Sequence, residues 1–278
     1  MNDKPASPAL DAWEPWRRTT PARIGLGRVG DAAPTAELLR FGWAHASARD
    51  AIHARPDLDV LESALKAQGW QPFRVKSRAP DRATYLRRPD LGRLLDEEDA
   101  KQLQAVPGGC DVCIVVGDGL SALAIERHAA PLLAALKPLL PHALRLGPLA
   151  LASQARVALA DDIGERLGAR LSVMLIGERP GLSSPDSLGI YLTFEPRRGR
   201  TDAQRNCISN VRAEGLAPAA RTEGQVDAKA VRRTQAGALA DQHDRQPGTQ
   251  AFSDVVGQRH ARLAGNRQGS QSQSGRQQ

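Results

Sequence analysis

The sequence predicts an α/β protein with a mostly helical N-terminal part, a parallel sheet covered by helices, and a tail of different character. Three observations support this prediction. Segments with helical spacing of apolar residues occupy the first hundred residues, whereas apolar, β-branched runs alternate with amphipathic segments after residue 110. Hydrophobic residues make up 41% of the chain and aromatic residues only 4%, so the core must consist mostly of Leu, Ala, Val and Ile.

Length and cysteine content exclude several classes of protein. The 278 residues suffice for one large domain or two modest ones without disulfides or a structural metal. No apolar stretch reaches the roughly 18 residues of a membrane span, and the N-terminus lacks the layout of a secretory signal. Three cysteines without framework spacing indicate reduced thiols. We therefore expect a cytoplasmic protein that contacts no membrane.

The first twenty residues predict an extended N-terminal arm. They are rich in proline, and Trp13 and Trp16 are expected to anchor the arm. Residues 21–107 are expected to form a mostly helical domain, which begins with a helix from Thr35 to about His53. Four apolar residues share one side of this helix: Leu38, Leu39, Trp43 and Ala46.

Shorter elements complete the predicted helical domain. We expect a helix over residues 59–68, stopped by Gly69, and a short strand over residues 71–77. A basic loop follows and leads into a helix that begins at Pro89 and ends before residue 107.

Residues 108–220 are expected to form a Rossmann-like sheet domain. An apolar strand over residues 111–116 leads through a glycine turn into a helix that starts at Ser121. A strand-like stretch over residues 148–159, a short amphipathic helix and a fully apolar strand over residues 169–177 come next. Strands with both faces buried, separated by helices, predict a parallel sheet covered on both sides.

Two more segments of this domain have a clear pattern. The run SLGIYLTFEP predicts a further strand, which we place at an edge of the sheet. The segment Arg205–Arg212 is interpreted as a loop.

Two short motifs have stronger structural than functional interpretations. Gly25, Gly27 and Gly30 spell G-x-G-x-x-G, but a dinucleotide-binding turn must follow a buried strand, and a proline stands only a few residues earlier. A glycine-rich entry loop is favoured.

Cys110 and Cys113 form C-x-x-C without a second pair, and Cys113 falls inside an apolar strand, so small buried side chains are favoured over a redox or zinc site.

Two turns at predicted strand ends are candidates for ligand binding. The backbone N–H groups of Gly117–Ser121 are placed to bind an anion or polar group, and the alternative is a tight turn in which Ser121 caps the helix. Glu178 follows the most hydrophobic strand, where a carboxylate is well placed to accept hydrogen bonds from N–H groups of a ligand. Its alternative role is an ion pair with Arg179 or Arg156.

The segment 221–278 differs in composition from the rest of the chain. It is dense in Gln, Arg, Gly and Ser and has no sustained apolar period, which predicts a disordered tail. Nine Lys/Arg against five Asp/Glu in this tail supply more than half of the net charge of +7. The remainder is not notably basic, and we expect no nucleic-acid partner.

Several of these segments together resemble one protein family. The longest are RVALADDIGERLGARLSVMLIGERPGL from Arg156 and RNCISN from Arg205. Shorter matches in the same order are GRVG at Gly27, RPDLGR at Arg88 and DGLS at Asp118. The chain is similar in these motifs to the small subunit of ethanolamine ammonia-lyase, over about residues 21–220.

The resemblance implies an enzyme of two kinds of subunit that depends on adenosylcobalamin. A large (β/α)8-barrel subunit would bind ethanolamine, and the small subunit would close over the corrin. Homolysis of the cobalt–carbon bond would start a radical reaction that yields acetaldehyde and ammonia. No catalytic acid or base is expected in this chain. The alternative function is a non-catalytic cobalamin-binding module.

The resemblance also implies three cobalamin contacts in this chain. Val157 would pack on the corrin rim, Glu178 would accept a hydrogen bond from a corrin amide, and the loop of Cys207 would supply a polar contact. Cobalamin domains that place histidine on cobalt use D-x-H-x-x-G, and only Asp241-Gln242-His243 approaches that pattern, without the glycine. The cobalamin is therefore expected to keep its dimethylbenzimidazole on cobalt.

Both ends of the chain depart from the family pattern. Members that enter bacterial microcompartments carry an amphipathic targeting helix at the N-terminus, which is not seen here. The resemblance thus implies a bacterial microcompartment as an alternative location to the cytoplasm, and the missing helix argues against it. From Arg221 the closing Ala/Leu-rich helix of the family is missing. A frameshift is our preferred explanation for the composition of this tail over an evolved appendage.

Overall fold

A computed structural model describes residues 11–20, 22–104, 109–213 and 215. The helices are α1 (Glu14–Arg17), α2 (Thr35–His53), α3 (Leu58–Ala67), α4 (Arg82–Arg87), α5 (Glu97–Gln104), α6 (Ala122–Leu136) and α7 (Leu159–Arg166). The strands are β1 (Pro72–Lys76), β2 (Val112–Gly117), β3 (Leu149–Ser153), β4 (Leu171–Gly177), β5 (Leu188–Phe194) and β6 (Arg205–Val211). Within these described ranges, no helix is both long and apolar enough to cross a lipid bilayer.

The six strands form one mixed sheet in the order β1-β3-β2-β4-β5-β6. The first four in this order are parallel, as the sequence predicts. Strands β5 and β6 are antiparallel to their neighbours, so the expectation of a parallel sheet holds for only part of the domain.

Strand β6 overturns two of the sequence predictions. The segment expected to be a loop is this strand, and it pairs along β5, so β5 is not at an edge of the sheet. This strand is hard to recognise from the sequence because most of its side chains are exposed, so it has no apolar alternation. Its backbone hydrogen bonds to β5, rather than an apolar run, hold it in place.

Helices cover both faces of the sheet, which explains the uninterrupted apolar runs of β2 and β4. One core lies between the sheet and helices α3 and α6, and the second lies between the sheet and helices α5 and α7. Strand β2 shows the division clearly: Ile114 and Val116 belong to the first core, whereas Cys113 and Val115 belong to the second.

The segment between β1 and β2 contains shorter helices than the sequence predicts. Helix α4 lies where the basic loop was expected, because the Asp81 carboxylate caps it by accepting the N–H of Thr84 at 2.7 Å. The single helix expected from Pro89 is instead a 3₁₀ turn at Leu91–Arg93 followed by α5.

The described part of the N-terminal arm is not extended. It contains the one-turn helix α1, and Trp13 and Trp16, the expected anchors, are both more than half exposed. Trp13 packs on Gly25, which has a positive φ of 56° and no space for a Cβ atom. The segment around Gly25 enters no strand, so the glycine-rich entry loop is confirmed.

Helix α2 has the predicted bounds but an unexpected orientation. Its three buried residues are Ala44, Ala48 and Ala51. The apolar side predicted from the sequence points away from this contact, and its large members Leu38, Leu39 and Trp43 are exposed. The predicted disorder of residues 221–278 and the domain boundary at residues 107/108 lie outside the described residues.

Candidate functional site

An open cavity of about 350 Å³ lies at the carboxyl ends of the parallel strands β2 and β4. Open α/β sheets bind ligands at this edge. The residues that line the cavity come from α4, from the turns after β2, β3 and β4, from the end of β4 itself and from β5: Tyr85, Gly119, Leu120, Arg156, Val157, Ile176, Gly177, Glu178, Arg179 and Tyr191.

The turn after β2 forms one wall through a close backbone contact. The Leu120 N–H donates to the Gly177 carbonyl at 3.0 Å, and a Cβ atom on Gly119 would overlap that carbonyl. The Ser121 Oγ does not cap α6 but donates to the Pro185 carbonyl at 2.5 Å. Residues 117–121 therefore form a tight turn, as one of the two interpretations proposed, but Ser121 does not cap the helix. The Leu120 N–H is not available to an anion.

A buried ion pair fixes this wall from behind. Arg82 Nη1 lies 3.3 Å from Asp118 Oδ2 and donates to the Gly119 carbonyl at 2.8 Å. The other carboxylate oxygen of Asp118 accepts the Ala155 N–H at 2.9 Å. Burial raises the pKa of Asp118, and the Ala155 N–H and the Arg82 guanidinium oppose that rise. The pair thus connects α4 to the turns after β2 and β3.

Tyr85 lies between two arginines. Its hydroxyl donates to the Ala155 carbonyl at 2.8 Å, and the guanidinium carbons of Arg82 and Arg156 lie 4.9 and 4.5 Å from the ring centroid. Burial raises the pKa of Tyr85 far above its usual value, so the phenol stays protonated. Arg156 Nε is buried and has no hydrogen-bond partner in the described part of the chain.

Glu178 directly follows β4, where the strand pattern predicts it. The Ser187 hydroxyl donates to Glu178 Oε2 at 2.7 Å, and the Asn210 N–H lies 3.5 Å from the same oxygen. Among the described residues no ion pair joins Glu178 to Arg179 or Arg156. The second oxygen, Oε1, lies over Gly189, where an added Cβ would stand only 2.8 Å from it.

Val157 and Cys207 contribute to the site in different ways. Val157 is half-buried and lines the cavity just before α7. Cys207 is exposed on β6, directly opposite Tyr191 on β5. The structure thus places Val157 and Glu178 in one cavity, whereas Cys207 does not line it and lies opposite Tyr191, which does.

Partial burial of the sulfur controls the protonation of Cys207, and the neighbouring Tyr191 opposes the effect of burial on the thiol pKa. Desolvation of the sulfur raises the pKa of the Cys207 thiol above its usual value. The sulfur is therefore a neutral thiol near pH 7 and not a nucleophilic thiolate. Burial likewise raises the pKa of Tyr191. The described residues include no cluster of three or more His, Cys, Asp or Glu side chains suited to a metal ion.

The model of one protein family, the ethanolamine ammonia-lyase light chain, matches residues 10–239. The chain belongs to this family. Ethanolamine ammonia-lyase small subunits of Ralstonia nicotianae and Azotobacter vinelandii are 55% and 56% identical to it, over 79% and 78% of this chain and 83% and 82% of theirs. The small subunit of Xanthomonas campestris pv. campestris is 50% identical over 87% of this chain and 92% of its own.

Membership in the family makes this chain a subunit of an ammonia-lyase, and a small subunit implies a large partner. The family match also extends beyond the resemblance seen in the sequence. It begins within the N-terminal arm and continues 19 residues past residue 220, where the resemblance was expected to end.

Two residues of the candidate site were not found from the sequence. Tyr191 alternates with the apolar residues Ile190 and Leu192, which face the α3–α6 core, so the alternation alone places it on the cavity side of β5. Arg82 has no comparable signal, because a buried arginine in a short helix is indistinguishable in sequence from the exposed arginines around it.

Proposed function

We propose that this chain is the cobalamin-contacting small subunit of an adenosylcobalamin-dependent ethanolamine ammonia-lyase. The observation that supports the cobalamin contact is that Val157 and Glu178 line a single open cavity, with Cys207 on the neighbouring strand opposite the lining residue Tyr191. We assign residues 108–220 to one Rossmann-like domain that faces the corrin. The free cysteines support a cytoplasmic location.

The cavity has the donors and acceptors that a corrin requires. A corrin is largely apolar and carries amide side chains at its rim. Glu178 Oε1 accepts no hydrogen bond from the described residues and is available to an amide N–H. The Arg156 side chain lines the same cavity, where its guanidinium can donate to an amide carbonyl. Val157, Leu120 and Ile176 supply apolar contacts beside these polar groups.

The size of the cavity supports a shared binding site. Pockets that enclose a drug-sized molecule measure about 300–1,000 Å³, and cobalamin is considerably larger than such a molecule. A cavity of about 350 Å³ therefore contacts only one side of the corrin. We assign the remaining contacts to the large subunit.

The chemistry is divided between the two subunits. When bound, adenosylcobalamin would supply the radical chemistry through homolysis of its cobalt–carbon bond. The residues of this chain bind and orient the cofactor: Glu178 and Arg156 hold amide groups, and Val157 excludes water. The phenols of Tyr85 and Tyr191 stay protonated and act as hydrogen-bond donors rather than bases. Ethanolamine binding is assigned to the large, barrel-shaped subunit.

Co-expression with the cognate large subunit tests this function. The purified complex should produce acetaldehyde from ethanolamine only when adenosylcobalamin is added, and the isolated small chain should produce none. Acetaldehyde production by the small chain alone would overturn the division of labour. Equal cobalamin affinity of the small chain alone and in the complex would instead support an independent cobalamin-binding module.

A further inference from the structure

The N-terminal region exposes an unusual share of the large apolar side chains of the protein. The whole chain has four tryptophans, and three of them, Trp13, Trp16 and Trp43, are more than half exposed. Trp43 is 77% exposed. Isolated exposed apolar residues are ordinary, whereas a concentration of them marks an interaction surface. Tryptophan and phenylalanine are also enriched in protein–protein interfaces.

Helix α2 presents the central part of this surface. At 100° per residue, Leu38, Leu39 and Trp43 lie within about 140° of one another on the helix, and the buried alanines lie on the other side. Gly42 lies between them, with no neighbouring atom near the position of a Cβ. We call Leu38, Leu39 and Trp43 the N-terminal apolar surface.

This surface is attached to the cavity wall at two points. Arg23, just before Leu26, donates to the Leu182 carbonyl at 3.3 Å, in the turn that follows Glu178. At the other end, the Ile52 carbonyl of α2 accepts from Arg82 Nε at 2.7 Å, and the same arginine binds the Gly119 carbonyl of the cavity wall. The Arg23 contact joins the segment before α2 to the turn after Glu178, whereas the Arg82 contact lies behind the cavity wall. A large partner that covers the cavity mouth is therefore placed to reach the N-terminal apolar surface.

We propose that the N-terminal apolar surface is a docking site for the large subunit of the enzyme. The inference rests on the proposed function, in which a corrin contacted on one side by this chain is completed by the partner. One partner that spans both the cavity mouth and the adjoining apolar residues covers the exposed tryptophan and leucines. A second copy of this chain is the competing occupant.

The test uses the full chain co-expressed with an affinity-tagged large subunit. The double variant Leu39→Glu/Trp43→Glu places two charges in the centre of the surface. We expect at least about a 10-fold weaker association with the large subunit, because central aromatic residues dominate interface energies. The matched control is Val60→Glu on α3, which is 65% exposed and outside the surface; it should associate like the wild type.

The outcomes separate this inference from the proposed function. Failure of the wild-type chain to bind the large subunit contradicts the proposed function itself. Normal binding by the double variant overturns the docking site alone. A third outcome is that the double variant still binds the large subunit but the isolated chain no longer self-associates. The surface would then bind a second copy of this chain, which also overturns the proposal.

A measurement on the wild-type chain guards against misfolding of the variant. Hydroxyl-radical footprinting compares the free chain with the complex. Trp43 and Leu39 should become protected on assembly, whereas Val60 should not change. Unchanged reactivity of Trp43 in a complex shown to be intact overturns the docking site without reference to any variant.

Discussion

Replacement of Glu178 by alanine removes the carboxylate that is best placed to hold a corrin amide. In the structure, Oε2 already accepts from the Ser187 hydroxyl, and Oε1 is left for a ligand. A hydrogen bond to a charged group contributes about 1.5–3 kcal/mol. Glu178→Ala should therefore weaken cobalamin binding to the assembled enzyme by roughly 10- to 150-fold.

A graded series of variants makes this prediction specific. Glu178→Gln keeps one acceptor oxygen, which cannot serve Ser187 and the corrin amide equally well, so we expect a loss smaller than that of Glu178→Ala. The matched control is Glu98→Ala, which removes an exposed carboxylate on α5 and should leave the affinity unchanged. Dissociation constants come from spectroscopic titration of each purified complex with cobalamin.

Assembly must be verified before the affinities are compared, since the site lies at the proposed subunit boundary. Each variant is first shown to co-purify with the large subunit in the wild-type ratio. An assembled Glu178→Ala complex that binds cobalamin like the wild type would refute the assigned role of Glu178. The carboxylate would then serve only to join the turn after β4 to Ser187 and Asn210.

Three further predictions concern stability and reactivity. Arg82→Met leaves the Asp118 carboxylate buried without its cation and should lower the free energy of unfolding in urea by about 3–5 kcal/mol. The control Arg88→Met breaks an exposed ion pair and should lower it by less than about 1 kcal/mol. Equal losses in the two variants would contradict the structural role of Arg82. Cys207 should be alkylated by iodoacetamide at pH 7.5 more slowly than free cysteine because its thiol pKa is raised, and a faster rate by mass spectrometry would disprove this. Truncation after Ala220 should leave the melting temperature unchanged, because the tail composition cannot support a core; a drop of several degrees would show that the tail packs on the fold.

Continuous apolar runs made the central sheet predictable. Strands β2 and β4 are buried on both faces, so nearly every side chain is apolar, and their parallel pairing follows from the intervening helices. Strand β6 shows the limit of this signal. Its side chains are mostly exposed, and only its backbone pairing with β5 defines it, so no periodicity identifies it.

The candidate site was predictable in position but not in its connections. The end of β4 placed Glu178 at the correct edge of the sheet. Its partners are Ser187, on the far side of a turn, and the backbone of Asn210, 32 residues away on the strand that was missed. The orientation of α2 could not be predicted from the sequence for a different reason. Three small alanines, rather than the large apolar residues, form its buried face.

The parallel pairing of β1 with β3 has a consequence for synthesis of the chain. Pro72 pairs with Leu149, so roughly 80 further residues must leave the ribosome before β1 finds its partner. At about 5–20 residues per second, that interval lasts roughly 4–16 s. During this time β1 has no strand partner, and an unpaired edge of this kind recruits other chains. Slow translation at low temperature lengthens the exposure, so the yield of soluble chain should depend on chaperone supply as well as on final stability.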